Sequence, residues 1–240
     1  MSGTVSTVAH AQSPVGFRSG FTEGTGIPPR GSIEADYGSS VTRSGDTRTL
    51  TAGEVTVHIP LARQFGVRVH LNSYNWTTSP AGTVEGREDI GFGTATAFRA
   101  ARDWHPMVAL LTRLDTPSGS LAGRAHALRP AAKIVLAWQL PAGVTLASNL
   151  GVARPGDHGT RFTQRFGSVW IARGFTPRIG SFSEVVLTDR ERSAGPSTTV
   201  LRGGLTLRAS HTVHVDLHAS TQLGGAQPRR TLGLGVKERF

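Results

Sequence analysis

Along this chain apolar residues return at every second position, in segments of about ten residues, and runs at the 3.6-residue spacing of a helix are absent. A period of two belongs to an extended strand, whose side chains alternate between two faces. SIEADYGSSV puts Ile33, Ala35, Tyr37 and Val41 on one face, Glu34 and Asp36 on the other. EVTVHI opposes Val55, Val57 and Ile59 to Thr56 and His58, and FGVRVHL opposes Phe65, Val67, Val69 and Leu71 to Arg68 and His70. DIGFGTATAFR sets Ile90, Phe92 and Phe98 against glycines, alanines and Arg99. AAKIVLAWQL sets Ile134, Leu136, Trp138 and Leu140 against Lys133 and Gln139, and VTLASNLGV sets Val144, Leu146, Leu150 and Val152 against Thr145 and Asn149. In TRFTQRFGSVW, Phe162, Phe166 and Trp170 define the apolar face, which places Arg161, Thr163 and Arg165 on the polar one. VLRGGLTLR opposes Leu201, Leu205 and Leu207 to Arg202, Thr206 and Arg208; HTVHVDLHA opposes Val213, Val215 and Leu217 to His214, Asp216 and His218. TLGLGVKERF opposes Leu232, Leu234, Val236 and Phe240 to Lys237 and Arg239. MVALLTRL is apolar on both faces, and RIGSFSEVVLT is ambiguous in phase; with these two the segments number twelve.

Soluble sandwiches and barrels alternate in this way too. Two features favour a membrane. The polar face mixes Gly and Ala with isolated Arg, Lys, His and Asp, which suits a crowded polar lumen better than a solvated surface. The connections alternate in length: short at PLARQ, long from Ser73 to Glu88, short near RAARD, long from Asp115 to Leu128, and onward in the same rhythm to RAS and TQLGGAQPRR. Transmembrane barrels have short turns on the periplasmic side and longer loops outside. No stretch approaches the roughly 20 apolar residues of a spanning helix, which excludes a helical membrane protein and leaves strands open. The chain reads as an all-β, antiparallel, up-and-down transmembrane barrel of about twelve strands, residues 31–240, in the bacterial outer membrane with both ends periplasmic. Tyr74, Trp76, Trp104 and Trp170 lie near strand ends, where interfacial aromatic girdles sit.

Ahead of the barrel, Ala9-His10-Ala11 fits a small-x-small cleavage pattern, so residues 1–11 read as the end of a signal peptide, with a plain N-terminal tail as the other reading. Residues 12–30 read as a periplasmic or lumen-entering extension.

The segment TLGLGVKERF resembles the C-terminal recognition signal of outer-membrane barrels, with Phe240 as the terminal aromatic and Leu234 and Val236 at upstream apolar positions; Glu238 stands where that signal usually has an apolar residue. The resemblance implies an assembly machinery that reads the last strand. IPPRGSIEADYGSSVTR resembles the opening of a Gram-negative outer-membrane family associated with meta-cleavage phenol-degradation clusters, and REDIGFGTATAFR, LDTPSGS and LPAGVTLASNLGV resemble its later segments, over about Gly26 to Phe240. That family implies an outer-membrane barrel passing small hydrophobic or aromatic compounds.

Lys and Arg exceed Asp and Glu by 26 to 16, but they are scattered, with no basic run and no interleaved aromatics, so nucleic acid is not the expected partner. The absence of cysteine excludes disulfides and Cys-based metal sites. His214, Asp216 and His218 share a strand face about 6.8 Å apart per step, a spacing two zinc ligands could use; lining a wet lumen is the plainer role, and no metal or other cofactor is expected. No G-x-S-x-G elbow singles out a nucleophilic serine, so no enzyme is expected. The polar phase yields a lumen lining of Glu34, Asp36, His58, Arg68, His70, Lys133, Arg161, Arg165, Arg202, Arg208, His214, Asp216 and His218. Either these charges pair and plug a narrow barrel, or they form a field that draws anions through it. The expected function is passive passage of small solutes, with lipid and the assembly machinery as partners; a closed-lumen binding barrel and a soluble secreted barrel are the alternatives.

Overall fold

The computed structural model describes residues 22–24, 27–71, 73–99, 104–120, 127–157, 160–224 and 228–240. The expected signal remnant, residues 1–11, lies outside them. The ordered elements of the described residues are nearly all strands: β1 (Glu34–Ser44), β2 (Thr47–Ala62), β3 (Phe65–Leu71), β4 (Tyr74–Ser79), β5 (Gly82–Arg87), β6 (Gly91–Arg99), β7 (Met107–Asp115), β8 (Arg129–Leu140), β9 (Val144–Ala153), β10 (Gly156–Asp157), β11 (Thr160–Arg161), β12 (Gln164–Gly174), β13 (Ile179–Thr188), β14 (Thr198–Arg208), β15 (Val213–Gly224) and β16 (Arg229–Arg239). Each ring strand pairs antiparallel with its sequence neighbours, and β16 pairs back onto β1, which closes the barrel. β3 and β4 both pair with the long β2 and act as one interrupted strand, as do β5 and β6, so the ring has twelve positions among the described residues. β10 and β11 form a separate small hairpin.

Closure removes the edges that an open sheet would leave unpaired. Ile33 and Phe240 extend the seam by exchanging both backbone bonds, at 3.1 and 2.8 Å. The connections from β3 to β6, β7 to β8, β9 to β12 and β13 to β14 are long, whereas β2–β3, β8–β9 and β14–β15 turn tightly. One stretch expected to be loop, Ser73 to Glu88, is instead the β4–β5 hairpin, which pairs with Arg48–Ala52 of β2.

The outer face is a nearly continuous apolar band. Phe92, Ile134, Leu150, Val169, Ile171, Val185, Leu205, Leu217, Leu232 and Leu234 are exposed on it. In water such a surface would aggregate; a bilayer covers it. Tyr74 and Trp76 lie together on this outer phase, ring centroids 4.4 Å apart and planes tilted by 44°, and Trp104 is 76% exposed near the opposite end. Trp170 departs from the girdle expectation: it is 2% exposed and lies inside the barrel, 6.3 Å from the ring of Phe182.

Candidate functional site

The lumen is built by register. Glu34 stands opposite both Arg239 and His58, Asp36 opposite Lys237 and Thr56, and His58 opposite Arg68. Their side chains converge. Glu34 accepts from Lys237 at 2.6 Å and from Arg239 at 3.0 Å; Lys237 lies 3.2 Å from Asp36; Asp36 bonds His58 Nε2 at 2.8 Å; Arg68 Nε donates to His58 Nδ1 at 3.3 Å. Burial of so many charges is tolerated because each meets an opposite charge or a hydrogen bond. Further round, Asp216 bonds His218 at 2.9 Å and Arg202 pairs with Glu184 at 3.3 Å.

The wall on the other side carries two apolar clusters, with Asn149, Ser168 and Glu184 buried beside them. Ala95, Ala109, Leu111 and Val135 form one buried cluster, and Ala137, Ala147, Trp170 and Phe182 another. The larger groups fit because small residues stand beside them: a Cβ at Gly151 would come within 2.3 Å of the Phe166 ring, and one at Gly233 within 2.4 Å of His218 Nε2.

Between the walls runs the chain segment before β1. Thr22 donates its N–H to Glu184 Oε1 and its hydroxyl to Ser168 Oγ, both at 2.6 Å. Glu23 is ion-paired through one carboxylate oxygen to Lys133 and through the other to Arg68. Ile27 packs on the Ala95–Val135 cluster, and Pro28 is buried. Burial works to raise the Glu23 carboxyl, but Arg68 and Lys133, with a hydrogen bond from Lys133, hold it well below the usual carboxylate range. The inner charges therefore form one chain, Arg239–Glu34–Lys237–Asp36–His58–Arg68–Glu23–Lys133, from the short-turn end to the far wall.

Of the residues expected on the inner face, Glu34, Asp36, His58, Arg68, His70, Lys133, Arg202, Arg208, His214, Asp216 and His218 lie on the inward phase of their strands. Arg161 and Arg165 do not belong with them. Arg165 is exposed, on the phase of Val169 and Ile171, which are about half exposed; Arg161 is exposed in the β10–β11 hairpin. The phase of β12 is inverted because Phe166 and Trp170 point into the lumen against Gly151 and Ala147, leaving Val169 and Ile171 to meet lipid. Leu234, Val236 and Phe240 take the outer phase, Phe240 64% exposed. Asp216 is engaged by His218, and no group of three or more His, Asp or Glu among the described residues is placed to hold a metal. Thr22, Glu23, Glu184 and the Trp170–Phe182 pair were not anticipated. Glu23 had one signal: it is the only acidic residue before Glu34.

Among the described residues, cavities lie at both ends of this interior and beside Glu23. A vestibule of about 1040 Å³ at the long-loop end is lined largely by hydroxyls, among them Thr42, Thr49 and Thr51, with Glu54, Glu88 and Glu191. At the short-turn end a cavity of about 410 Å³ is lined by Trp170, Arg173, Arg178, Arg208 and His214, with no carboxylate in its lining. A third, of about 210 Å³, lies beside Glu23.

The barrel is similar in fold to an outer membrane channel from Pseudomonas putida F1, with a TM-score of 0.64 at 12% identity, over 89% of this chain and 100% of that one. It is also similar to the NanC porin, with a TM-score of 0.59 at 8% identity over 85% and 98% of the two chains. The CymD monoaromatic hydrocarbon channel follows at 0.50 and 8% identity, over 87% and 88%. No curated protein matches the sequence. Residues 16–240 match the family described as "Putative MetA-pathway of phenol degradation", and the chain belongs to that family.

Proposed function

We propose that the protein is an outer-membrane channel for the passive passage of small solutes, aromatic or hydrophobic compounds among them. The observation that carries this reading is the divided lumen. One wall is a ladder of ion pairs and the facing wall holds two apolar clusters of Ala, Val, Leu, Trp and Phe, with Lys133, Asn149, Ser168 and Glu184 set among them. A solute with an apolar body and a polar edge finds a partner on each side, whereas a hydrated ion meets charges already neutralised. The fold shared with the CymD monoaromatic hydrocarbon channel supports the same class. In this reading both termini and the short turns are periplasmic and the long loops are outside, as in other barrels with this asymmetry. The apolar band contacts lipid, and the exposed outer face of β16 with Phe240 is what the assembly machinery reads. The chain carries out no covalent step; its inner side chains set selectivity.

The Thr22–Glu23 segment favours a second reading, a closed barrel that binds without transport, because it bridges the two walls.

The test is liposome swelling with benzyl alcohol and with glucose, beside planar-bilayer recording under a salt gradient. Folding is verified by heat-modifiable gel mobility. The channel reading expects benzyl alcohol to enter well ahead of glucose, and small discrete steps with weak anion preference from the basic short-turn mouth. Folded protein that passes neither solute overturns it and favours the closed barrel.

A further inference from the structure

The cavity beside Glu23 has the composition of a carboxylate site with an apolar floor. Arg68, Arg113 and Lys133 bring their cationic side chains to it from β3, β7 and β8; Leu111 and Phe166 supply the apolar lining. His70 also lines it, is 2% exposed, and has no hydrogen-bond partner at Nε2, while its Nδ1 bonds the Thr56 hydroxyl at 3.0 Å. In the tautomer where Nδ1 accepts from Thr56, Nε2–H is a buried donor without an acceptor. Such a group is costly unless something binds it.

We propose that this cavity binds a small aromatic monocarboxylate, and that the Glu23 side chain occupies the place which the solute's carboxylate takes. The two oxygens of Glu23 are held by two cations, one from β3 and one from β8 with β6 and β7 between them, the two-point grip that a free carboxylate would receive. Exchanging one carboxylate for another leaves no buried charge unpaired. A neutral ring cannot make that exchange, because Arg68 and Lys133 would lose their counter-ion. The space agrees: a dry cavity of roughly 150 Å³ holds benzene, and this one offers about 210 Å³ before Glu23 moves. Glu23 stays ionised at neutral pH, since its carboxyl is held well below the usual range, so it competes as a tethered anion. Binding would free the segment that bridges the lumen, and the solute would open its own path. This last consequence rests on the channel reading; the binding does not.

The experiment is calorimetric titration of the folded, detergent-solubilised protein with benzoate, and with benzyl alcohol as the uncharged probe. Wild type should bind benzoate and not benzyl alcohol. Glu23→Gln removes the internal competitor and should tighten benzoate by about tenfold, the scale of one charge-assisted contact. Adding Lys133→Met to Glu23→Gln should reverse that gain. Phe166→Leu, which conserves an apolar side chain, should weaken benzoate several-fold and serves if Lys133→Met does not fold. Benzoate binding no tighter in Glu23→Gln than in wild type, or equal binding of benzyl alcohol, overturns the proposal. Liposome swelling on the same preparations separates the two readings: benzyl alcohol flux without benzoate binding sinks only this proposal, and benzoate binding without any flux sinks only the channel.

Discussion

The wall made by β14, β15, β16, β1, β2 and β3 and the wall made by β6, β7, β8, β9, β12 and β13 follow the same outer rule and opposite inner ones. Outside, both present Leu, Ile, Val and Phe to lipid. Inside, the first carries Arg239, Glu34, Lys237, Asp36, His58 and Arg68 in one continuous ladder, and the second carries Ala95, Ala109, Val135, Ala147 and Trp170 around the isolated polar groups of Lys133, Asn149, Ser168 and Glu184. The charged wall is satisfied largely strand to neighbouring strand, with Arg202 reaching Glu184 on β13 and Arg68 reaching Glu23. The apolar wall is broken by Lys133, Ser168 and Glu184, so the segment crossing the lumen settles Ile27 on its apolar cluster, bonds Thr22 to Ser168 and Glu184, and sends Glu23 to Lys133 and to Arg68 on β3.

The largest effect should come from breaking the ladder. Lys237→Met leaves Glu34 and Asp36 side by side, buried, without the cation they share. Losing one partner of a buried pair costs roughly 3–5 kcal/mol. Urea titration of protein folded into vesicles should show that loss. A cost below about 1 kcal/mol would mean that water hydrates the ladder and that the two walls are less different than their side chains suggest.

Trp170→Ala should come next, at about 3 kcal/mol, because it empties a packed site beside Phe182 and Ala147. It should also widen the passage, so conductance rises while stability falls. An unchanged conductance would place the constriction elsewhere, at Thr22 and Glu23.

Most of the fold could be read because lipid imposes a strict rule. Where an outward phase is unbroken, as at Val67, Val69 and Leu71 or at Ile134, Leu136 and Trp138, the inward residues Arg68, His70 and Lys133 follow from it. The lumen imposes no such rule, and the reading failed where it mattered. In β12 both phases hold apolar residues, so Phe166 and Trp170 passed for lipid-facing and Arg165 for inward. The β4–β5 hairpin carries SYNWTTSPAGTVEGR, where Thr78, Pro80 and Gly82 interrupt the phase that Tyr74, Trp76 and Val84 share, so the alternation is too short to show. Glu23 lies in a Gly-rich stretch outside any strand, and its role depends on cations contributed by β3 and β8.

The pH response tests the bridge between the walls. Glu23 has a depressed pKa in the folded state, so its contribution is complete above the ordinary carboxylate range and is lost as pH falls through the depressed value. Conductance should stay flat from pH 7 to about pH 4 and rise only in stronger acid. Glu23→Gln should show the raised conductance at neutral pH and no acid step. A step at the ordinary carboxylate value would mean that Arg68 and Lys133 do not hold the segment.

The smallest effect separates two arginines that sequence alone treats alike. Arg165→Ala should change stability by less than about 0.5 kcal/mol, since the side chain is exposed and its bond to Asp189 at 2.9 Å comes from the backbone N–H, which alanine keeps. Arg202→Ala removes the cation beside buried Glu184, the same carboxylate that accepts the Thr22 N–H. It should cost several-fold more and disturb the lumen segment as well. Reversal potentials under a salt gradient sharpen the contrast: unchanged for Arg165→Ala, shifted toward cations for Arg202→Ala. Equal shifts for both would return Arg165 to the lumen and give β12 the opposite phase.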